Sequence, residues 1–207
     1  MNNGKPVEMG LLKLFPTLVY QISASELIEP SIKILNEFLK PKNKNKWTWK
    51  INNSTYDKFV LKDYEDLRIA FQEKINICTS VLEYKLGFKM TTSWWTRTAP
   101  GDIVQKHKHS NCFYSGVFYP YANAAPLILE SLAIPAMIDP EFKSSDPMMI
   151  PYGNVEISPP AGSMLIFPSS MYHWTKKNET KKDRFSLAMN FMPDGYVIRG
   201  DSTYNYQ

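Results

Sequence analysis

Three histidines, His107, His109 and His173, are the residues of this 207-residue chain best suited to bind a metal ion. One residue separates His107 from His109, and on a β-strand the side chains of residues i and i+2 point to the same face. Both imidazoles can therefore converge on one ion. His173 follows the apolar segment 162–168, which predicts another strand. Although an isolated His-x-His pair is more often structural or exposed, two ligands from one strand and a third from a distant one indicate a metal site of a β-protein.

Arg184 lies shortly after His173 and could bind an anion. With a period of two residues, Arg184 and Ser186 share one face of a predicted strand whose other face is apolar. An arginine on that face needs a partner, and a dicarboxylate would match its planar guanidinium. The alternative is an ion pair of Arg184 with Asp183 or Glu179.

The elements that must position these residues change in character along the chain. Apolar stripes of helical period predict one helix ending near Pro41 and a second from about Tyr64 to Leu86, whose buried face would be Leu67, Phe71, Ile75, Cys78 and Leu82. From about residue 90, segments rich in aromatic and β-branched residues predict antiparallel strands. They are 91–98, 103–109, 112–119, 126–134, 163–168 and 184–192, and the proline-rich stretch 135–160 is predicted as a long loop. We expect a single domain over 1–207, with about 1–90 as helical support and about 91–196 as the β-core.

The order of the motifs resembles that of Fe(II)/2-oxoglutarate-dependent oxygenases, and most of all the small prolyl-hydroxylase-like branch common in bacteria and phages. The motifs are His107-Lys-His109, Ser115-Gly-Val-Phe-Tyr119, the segment 159–169, His173 and Asp183-Arg-Phe-Ser186. The resemblance covers about residues 12–193. It implies a mainly β fold with N-terminal helices, a double-stranded β-helix barrel of the jelly-roll or cupin-like type.

The resemblance also implies roles for individual residues. His107 and His173 would bind Fe(II), and His109 would occupy the position of the family's usual carboxylate ligand. Arg184 would pair with the C5 carboxylate of 2-oxoglutarate, with Ser186 and Tyr119 beside it. The implied reaction uses O2 to hydroxylate a small molecule or a protein side chain while 2-oxoglutarate is decarboxylated to succinate.

The third metal ligand is where this sequence departs from the family. The usual triad has two histidines and one carboxylate, whereas the His-Lys-His segment offers no acid. We take His109 as the third ligand. The alternatives are that His109 does not bind the metal or that Glu130 reaches it from a neighbouring strand. Two rival functions also stay open, a cupin-type three-histidine dioxygenase that uses no 2-oxoglutarate and a non-catalytic ligand-binding barrel.

Three further side chains are predicted to contact the substrate. Trp95 and Arg97 share one face of the predicted strand 91–98, and Trp174 directly follows His173. Packing in the hydrophobic core is the alternative role for the tryptophans.

The composition limits the classes of partner. The formal net charge of +4 comes from 24 basic and 20 acidic residues, and only four of the basic residues are arginine, so nucleic-acid binding is not favoured. No apolar run approaches the ~18–20 residues of a membrane span. Two cysteines make neither a disulfide framework nor a zinc quartet. We expect a cytoplasmic protein, or one in the host cytoplasm if viral, and a homodimer stays open.

Overall fold

The computed structural model describes residues 17–48, 53–122, 125–132, 153–199 and 201–206. Its α-helices are α1 (Ile28–Leu39) and α2 (Glu65–Ser80), and short 3-10 helices cover Ser25–Leu27 and Pro41–Lys46. The strands that carry or support the cavity described below are β1 (Tyr20–Ser23), β2 (Phe88–Thr98), β3 (Tyr114–Tyr119), β4 (Leu127–Glu130), β5 (Asn154–Ile157), β6 (Ser163–Pro168), β7 (His173–Thr175) and β8 (Arg184–Pro193). A hairpin of β9 (Gly195–Arg199) and β10 (Ser202–Tyr206) follows. The predicted mainly β fold with N-terminal helices is confirmed.

Both predicted helices form, but α2 is shorter than its apolar pattern suggests. The predicted buried face of α2 is correct for Leu67, Phe71, Ile75 and Cys78. Leu82 lies beyond the helix and is 37% exposed. The chain turns after Ser80, and Glu83 adopts a left-handed backbone conformation with φ of 52°, which an α-helix does not accommodate.

The described strands form two antiparallel sheets in addition to the hairpin. The first has the order β1-β6-β3-β8-β2, and the second has the order β5-β4-β7. Leu127 and Leu129 of the second sheet pack against Tyr119, Leu165 and Phe167 of the first. The larger core lies on the opposite face of the first sheet, where Phe71 of α2 packs edge-on against Phe118. Within the described residues the two sheets do not close into a hydrogen-bonded barrel.

The structure corrects two of the predicted segments. Residues 103–109 do not form a strand and contribute one bridge, between His107 and His173. The predicted loop 135–160 contains β5, which pairs with β4, while 133–152 lie outside the described residues. None of the described helices is both long and apolar enough to span a membrane.

Candidate active site

The three histidines meet at one end of the second sheet, although only His173 belongs to a regular strand. The backbone N–H of His107 donates to the carbonyl oxygen of His173 at 3.0 Å, and the N–H of His173 donates back at 2.8 Å. The N–H of His109 donates to the carbonyl oxygen of Ser169 at 3.0 Å. These bonds hold the irregular His-Lys-His segment against β7 and against Ser169, which precedes that strand. One ring nitrogen from each histidine lies within 4.8 Å of the others.

Each imidazole is oriented by a hydrogen bond at Nδ1. Nδ1 of His107 lies 2.7 Å from the carbonyl oxygen of Gln105, and Nδ1 of His173 lies 3.0 Å from that of Met171. A carbonyl oxygen only accepts, so Nδ1 carries the proton in both rings. Nε2 is left unprotonated and available to a metal, which is the usual arrangement of histidine ligands.

Polar side chains of the first sheet orient the third imidazole. Nδ1 of His109 lies 2.8 Å from Oδ1 of Asn190 and 3.0 Å from Oγ of Ser115. The Ser115 hydroxyl also donates to Oδ1 of Asn190 and contacts the hydroxyl of Ser169, each at 3.0 Å. Because Oδ1 is an acceptor, the Nδ1 proton of His109 points to Asn190 and Nε2 is again free. The hydrogen bonds of Ser115 and Asn190 to His109 become visible only in the structure.

Burial keeps two of the imidazoles neutral. It lowers the pKa of His173 to about 3, with the neighbouring His107 contributing in the same direction. It also lowers the pKa of His109, against the opposing hydrogen bond to Asn190. Neutral imidazole is the form that binds metals, so both are ready to do so at neutral pH.

The described residues supply no carboxylate to this cluster. Glu130, the alternative ligand, accepts a hydrogen bond from Nζ of Lys106 at 2.8 Å on the protein surface. The structure therefore places Glu130 away from the cluster, and His109 stays the predicted third ligand. Nitrogen ligands of this kind suit iron among other transition metals.

Arg184 lines the same cavity and is only 7% exposed. No carboxylate among the described residues forms an ion pair with it, because Asp183 instead pairs with Arg97 at 2.7 Å. Nε of Arg184 and Oη of Tyr119 are buried without a hydrogen-bond partner in the described part of the chain. The guanidinium carbon lies 5.5 Å from the centroid of the Tyr119 ring. A buried guanidinium with unused donors is suited to bind an anion.

The environment sets the charge at this end of the cavity. Burial raises the pKa of Tyr119 to about 12, although the neighbouring Arg184 opposes the shift. Burial lowers the pKa of Arg184, and Tyr119 opposes this shift in turn. A neutral phenol beside a guanidinium offers hydrogen-bond donors to an anion. Ser186, 5% exposed, lies two residues further along the same face of β8.

The cavity has a volume of about 410 Å³ and lies between the two sheets. It brings together the six residues predicted for the metal and the cofactor: His107, His109, His173, Arg184, Ser186 and Tyr119. The residues predicted for the substrate are elsewhere. Trp95 is fully buried in the larger core, Arg97 pairs with Asp183, and Trp174 lies near Lys106 on the side of β7 opposite His173.

A β-bulge explains why Trp95 does not reach the cavity. The pairing of β2 with β8 shifts between Met90 and Thr92, which inverts the alternation along β2. Phe88 and Met90 face the larger core before the shift, and Trp95 faces it after the shift. The residues of β2 that line the cavity are Thr92, Trp94 and Thr96.

Comparison with known proteins agrees with this site. Residues 92–190 match the family described as putative 2OG-Fe(II) oxygenase. No curated protein matches the chain. A prolyl-4-hydroxylase from Pseudomonas putida is 15% identical, with a TM-score of 0.52 over 86% of this chain and 94% of that chain. A viral collagen prolyl hydroxylase from Paramecium bursaria Chlorella virus-1, solved with 2OG, is 11% identical, with a TM-score of 0.54 over 84% and 94%. The alpha ketoglutarate dependent carbocyclase SnoK from nogalamycin biosynthesis is 10% identical, with a TM-score of 0.63 over 87% and 81%.

The fold belongs to the double-stranded β-helix class, as predicted, the described strands around the cavity form two open sheets, and the three histidines could hold a metal ion. The matched stretch contains the three histidines and Arg184, so the resemblance of this chain to the Fe(II)/2-oxoglutarate-dependent oxygenases is confirmed. Fe(II) and 2-oxoglutarate are the cofactors of this family, so the cofactor prediction is confirmed.

Proposed function

We propose that this chain hydroxylates an amino-acid side chain or a small molecule, with Fe(II) bound by Nε2 of His107, His109 and His173. Arg184, Ser186 and Tyr119 bind the C5 carboxylate of 2-oxoglutarate in this proposal. The bound cofactors supply the oxidation, in which one atom of O2 enters a C–H bond of the substrate and the other enters succinate as CO2 leaves.

The buried Arg184 carries the proposal. A guanidinium that is 7% exposed and has no acidic partner among the described residues is unfavourable by itself. A carboxylate from a ligand would neutralise its charge and accept its hydrogen bonds. Such a ligand in the same cavity as three metal-binding imidazoles would be held close to the metal. The C5 carboxylate of 2-oxoglutarate, at the end of the molecule away from the 2-oxo group, would fill this role.

The chain's own residues position the reactants. The carbonyl oxygens of Gln105 and Met171 hold two imidazoles with Nε2 free, and Asn190 holds the third. Phe167 packs edge-on against the His173 ring, with the ring centroids 4.9 Å apart. Leu127 and Val117 give the cavity apolar walls that exclude water around the reacting groups.

The binding test starts from anaerobic protein titrated with Fe(II) and then with 2-oxoglutarate. Wild type is expected to develop a weak visible charge-transfer band when the 2-oxo acid chelates the metal. Arg184→Ala should weaken 2-oxoglutarate binding about a hundredfold, because removing one partner of a buried charge pair costs about 2–5 kcal/mol. Equilibrium binding measured by this band checks the loss.

A matched arginine variant controls for the general effect of losing a positive charge. Arg68 lies on α2 and pairs with Glu65 at 3.2 Å, away from the cavity, so Arg68→Ala should keep the wild-type band. A band that survives Arg184→Ala unchanged would contradict the role given to Arg184. Wild type that binds Fe(II) but develops no band would favour the three-histidine dioxygenase that uses no 2-oxoglutarate. Failure of wild type to bind Fe(II) would instead favour a non-catalytic ligand-binding protein.

A further inference from the structure

A second cation, Lys58, borders the cavity on the side of His109. Its Nζ donates to Oγ of Ser54 and to the carbonyl oxygen of Thr55, each at 2.8 Å, and lies 5.8 Å from the centroid of the Trp94 ring. The Trp94 ring in turn lies 5.3 Å from the ring of His109. Lys58, Trp94 and His109 therefore follow one another from the mouth of the cavity to the metal-binding cluster.

Lys58 and Arg184 belong to different parts of the cavity. In the pairing of β2 with β8, Thr98 lies opposite Arg184, whereas Trp94 lies opposite Ala188. Four residues along a strand correspond to ~13 Å at ~3.3 Å per residue. An anion held by Arg184 leaves Lys58 available to a second molecule.

The charge of Lys58 has no acidic partner within the described part of the chain. The neighbouring carboxylate, Asp57, pairs with Lys62 at 3.3 Å. The ammonium group has three N–H donors, and its two hydrogen bonds leave one of them for a ligand. The side chain is exposed at the cavity mouth, so a ligand can reach it. Partial burial nevertheless lowers the pKa of Lys58.

We propose that Lys58 binds a carboxylate of the organic substrate and thereby selects substrates that carry one. This inference rests on the proposed function, since it assigns 2-oxoglutarate to Arg184 and the substrate to the other part of the cavity. Trp94 supplies a flat apolar surface beside the anion, and Thr92 and Thr96 line the same wall. The carboxylate belongs either to a small free acid or to an acidic side chain of a peptide.

The test measures binding to protein loaded anaerobically with Fe(II) and saturating 2-oxoglutarate, so that Arg184 is already occupied. The probes are two matched pairs, N-acetyl-leucine with its primary amide and the peptide acetyl-Gly-Asp-Gly-amide with its Asn counterpart. Calorimetric titration is expected to show the acid of one pair binding about tenfold more tightly than its neutral partner, the scale of one hydrogen bond to a charged group. The pair that shows the preference distinguishes the free acid from the acidic side chain.

Two variants test whether Lys58 causes the preference for the acid. Lys58→Met keeps the length of the side chain without its charge and should abolish the preference for the acid. Lys62→Met removes an exposed lysine nearby, outside the cavity lining, and should retain it. If Lys58→Met does not fold, Lys58→Gln takes its place.

The proposal is overturned if wild type prefers neither acid, whether both members of each pair bind equally or none binds. It is also overturned if the preference persists without Lys58. The 2-oxoglutarate band is recorded before each titration. Its absence from wild type counts against the proposed function, whereas its presence without any preference for an acid counts against Lys58 alone.

Discussion

At the scale of single residues, the three imidazoles depend on their partners at Nδ1. Backbone carbonyl oxygens accept the Nδ1 hydrogen bonds of His107 and His173, so no substitution of a side chain removes those acceptors. His109 relies on the side chains of Asn190 and Ser115. With the proposed ligand set, three neutral imidazoles would leave a bound divalent ion with one more net positive charge than the usual triad does, which would favour anionic ligands beside it.

Replacing Asn190 by alanine should weaken binding of Fe(II) by about 10–100-fold, the usual effect of losing an orienting partner of a metal ligand. The Nδ1 proton of His109 would lose its closest acceptor, at 2.8 Å, and the ring would be less well oriented. Anaerobic titration with Fe(II) measures the change.

Thr92 provides the control for Asn190, because it lies opposite Asn190 in the pairing of β2 with β8 and lines the same cavity. Its hydroxyl is buried and has no hydrogen-bond partner in the residues that the structure describes. Thr92→Val should leave Fe(II) affinity unchanged. Equal affinities of wild type and Asn190→Ala would show that Asn190 does not orient the ligand.

At the scale of elements, strand ends and irregularities position the site. The bulge in β2 directs Trp94 into the cavity, and β7 places His173 beside the irregular segment of His107. The turn before β6 is equally constrained. Gly162 has a φ of +75°, and a Cβ there would lie 2.9 Å from the backbone Cα of Ser25. Its N–H donates to Tyr119 and its carbonyl oxygen accepts from Ala24, so this turn joins β1, β3 and β6.

Gly162→Ala should lower the free energy of unfolding by more than the ~1–2 kcal/mol expected for a left-handed backbone alone. The added methyl group meets backbone as well as side chain and cannot be accommodated by a rotamer change. Urea denaturation measures the loss. Gly153→Ala is the control, since Gly153 also has positive φ but open space around its Cβ position. Equal losses in the two variants would show that the contact with Ser25 has no energetic effect.

At the scale of the whole molecule, the two sheets enclose buried polar groups that the core does not satisfy. Tyr119 is fully buried and packs with the second core, and its ring lies beside Arg184, yet its hydroxyl has no hydrogen-bond partner among the described residues. In the folded protein, burial favours the uncharged form of such groups. The stability of the protein therefore depends on pH through them.

Stability is expected to decrease as the pH rises from 10 to about 12. The unfolded chain releases the phenolic proton of Tyr119 near its ordinary pKa of 10, whereas burial in the folded chain raises that pKa to about 12. The unfolded state therefore binds fewer protons in this window, and the free energy of unfolding falls as the pH increases. Denaturant unfolding across this range should show a smaller decrease for Tyr119→Phe than for wild type. Tyr56→Phe, at a ring that is 62% exposed, is the control, and identical profiles for Tyr119→Phe and wild type would contradict the assignment.

Much of the site was predictable because its chemistry resides in residue types and their order. Three histidines followed by an arginine on the polar face of a strand indicated a metal and an anion, and the structure brings all of them to one cavity. The helical stripe of α2 was predictable as far as Cys78, since local periodicity reports burial while the helix lasts. The strand expected at 103–109 was wrong, because apolar and β-branched residues in a short segment do not reveal whether a pairing partner is available.

What the amino-acid sequence determined by itself was the set of chemical groups, namely three imidazoles, a guanidinium and a His-Lys-His segment without an acid. The tertiary structure alone decided which neighbours those groups have. A one-residue bulge in β2 exchanged Trp95 for Trp94 in the cavity wall, and Asp183 paired with Arg97 rather than Arg184. The physical reason is that a strand's alternation fixes which residues share a face, whereas the pairing of distant strands decides which face meets the cavity.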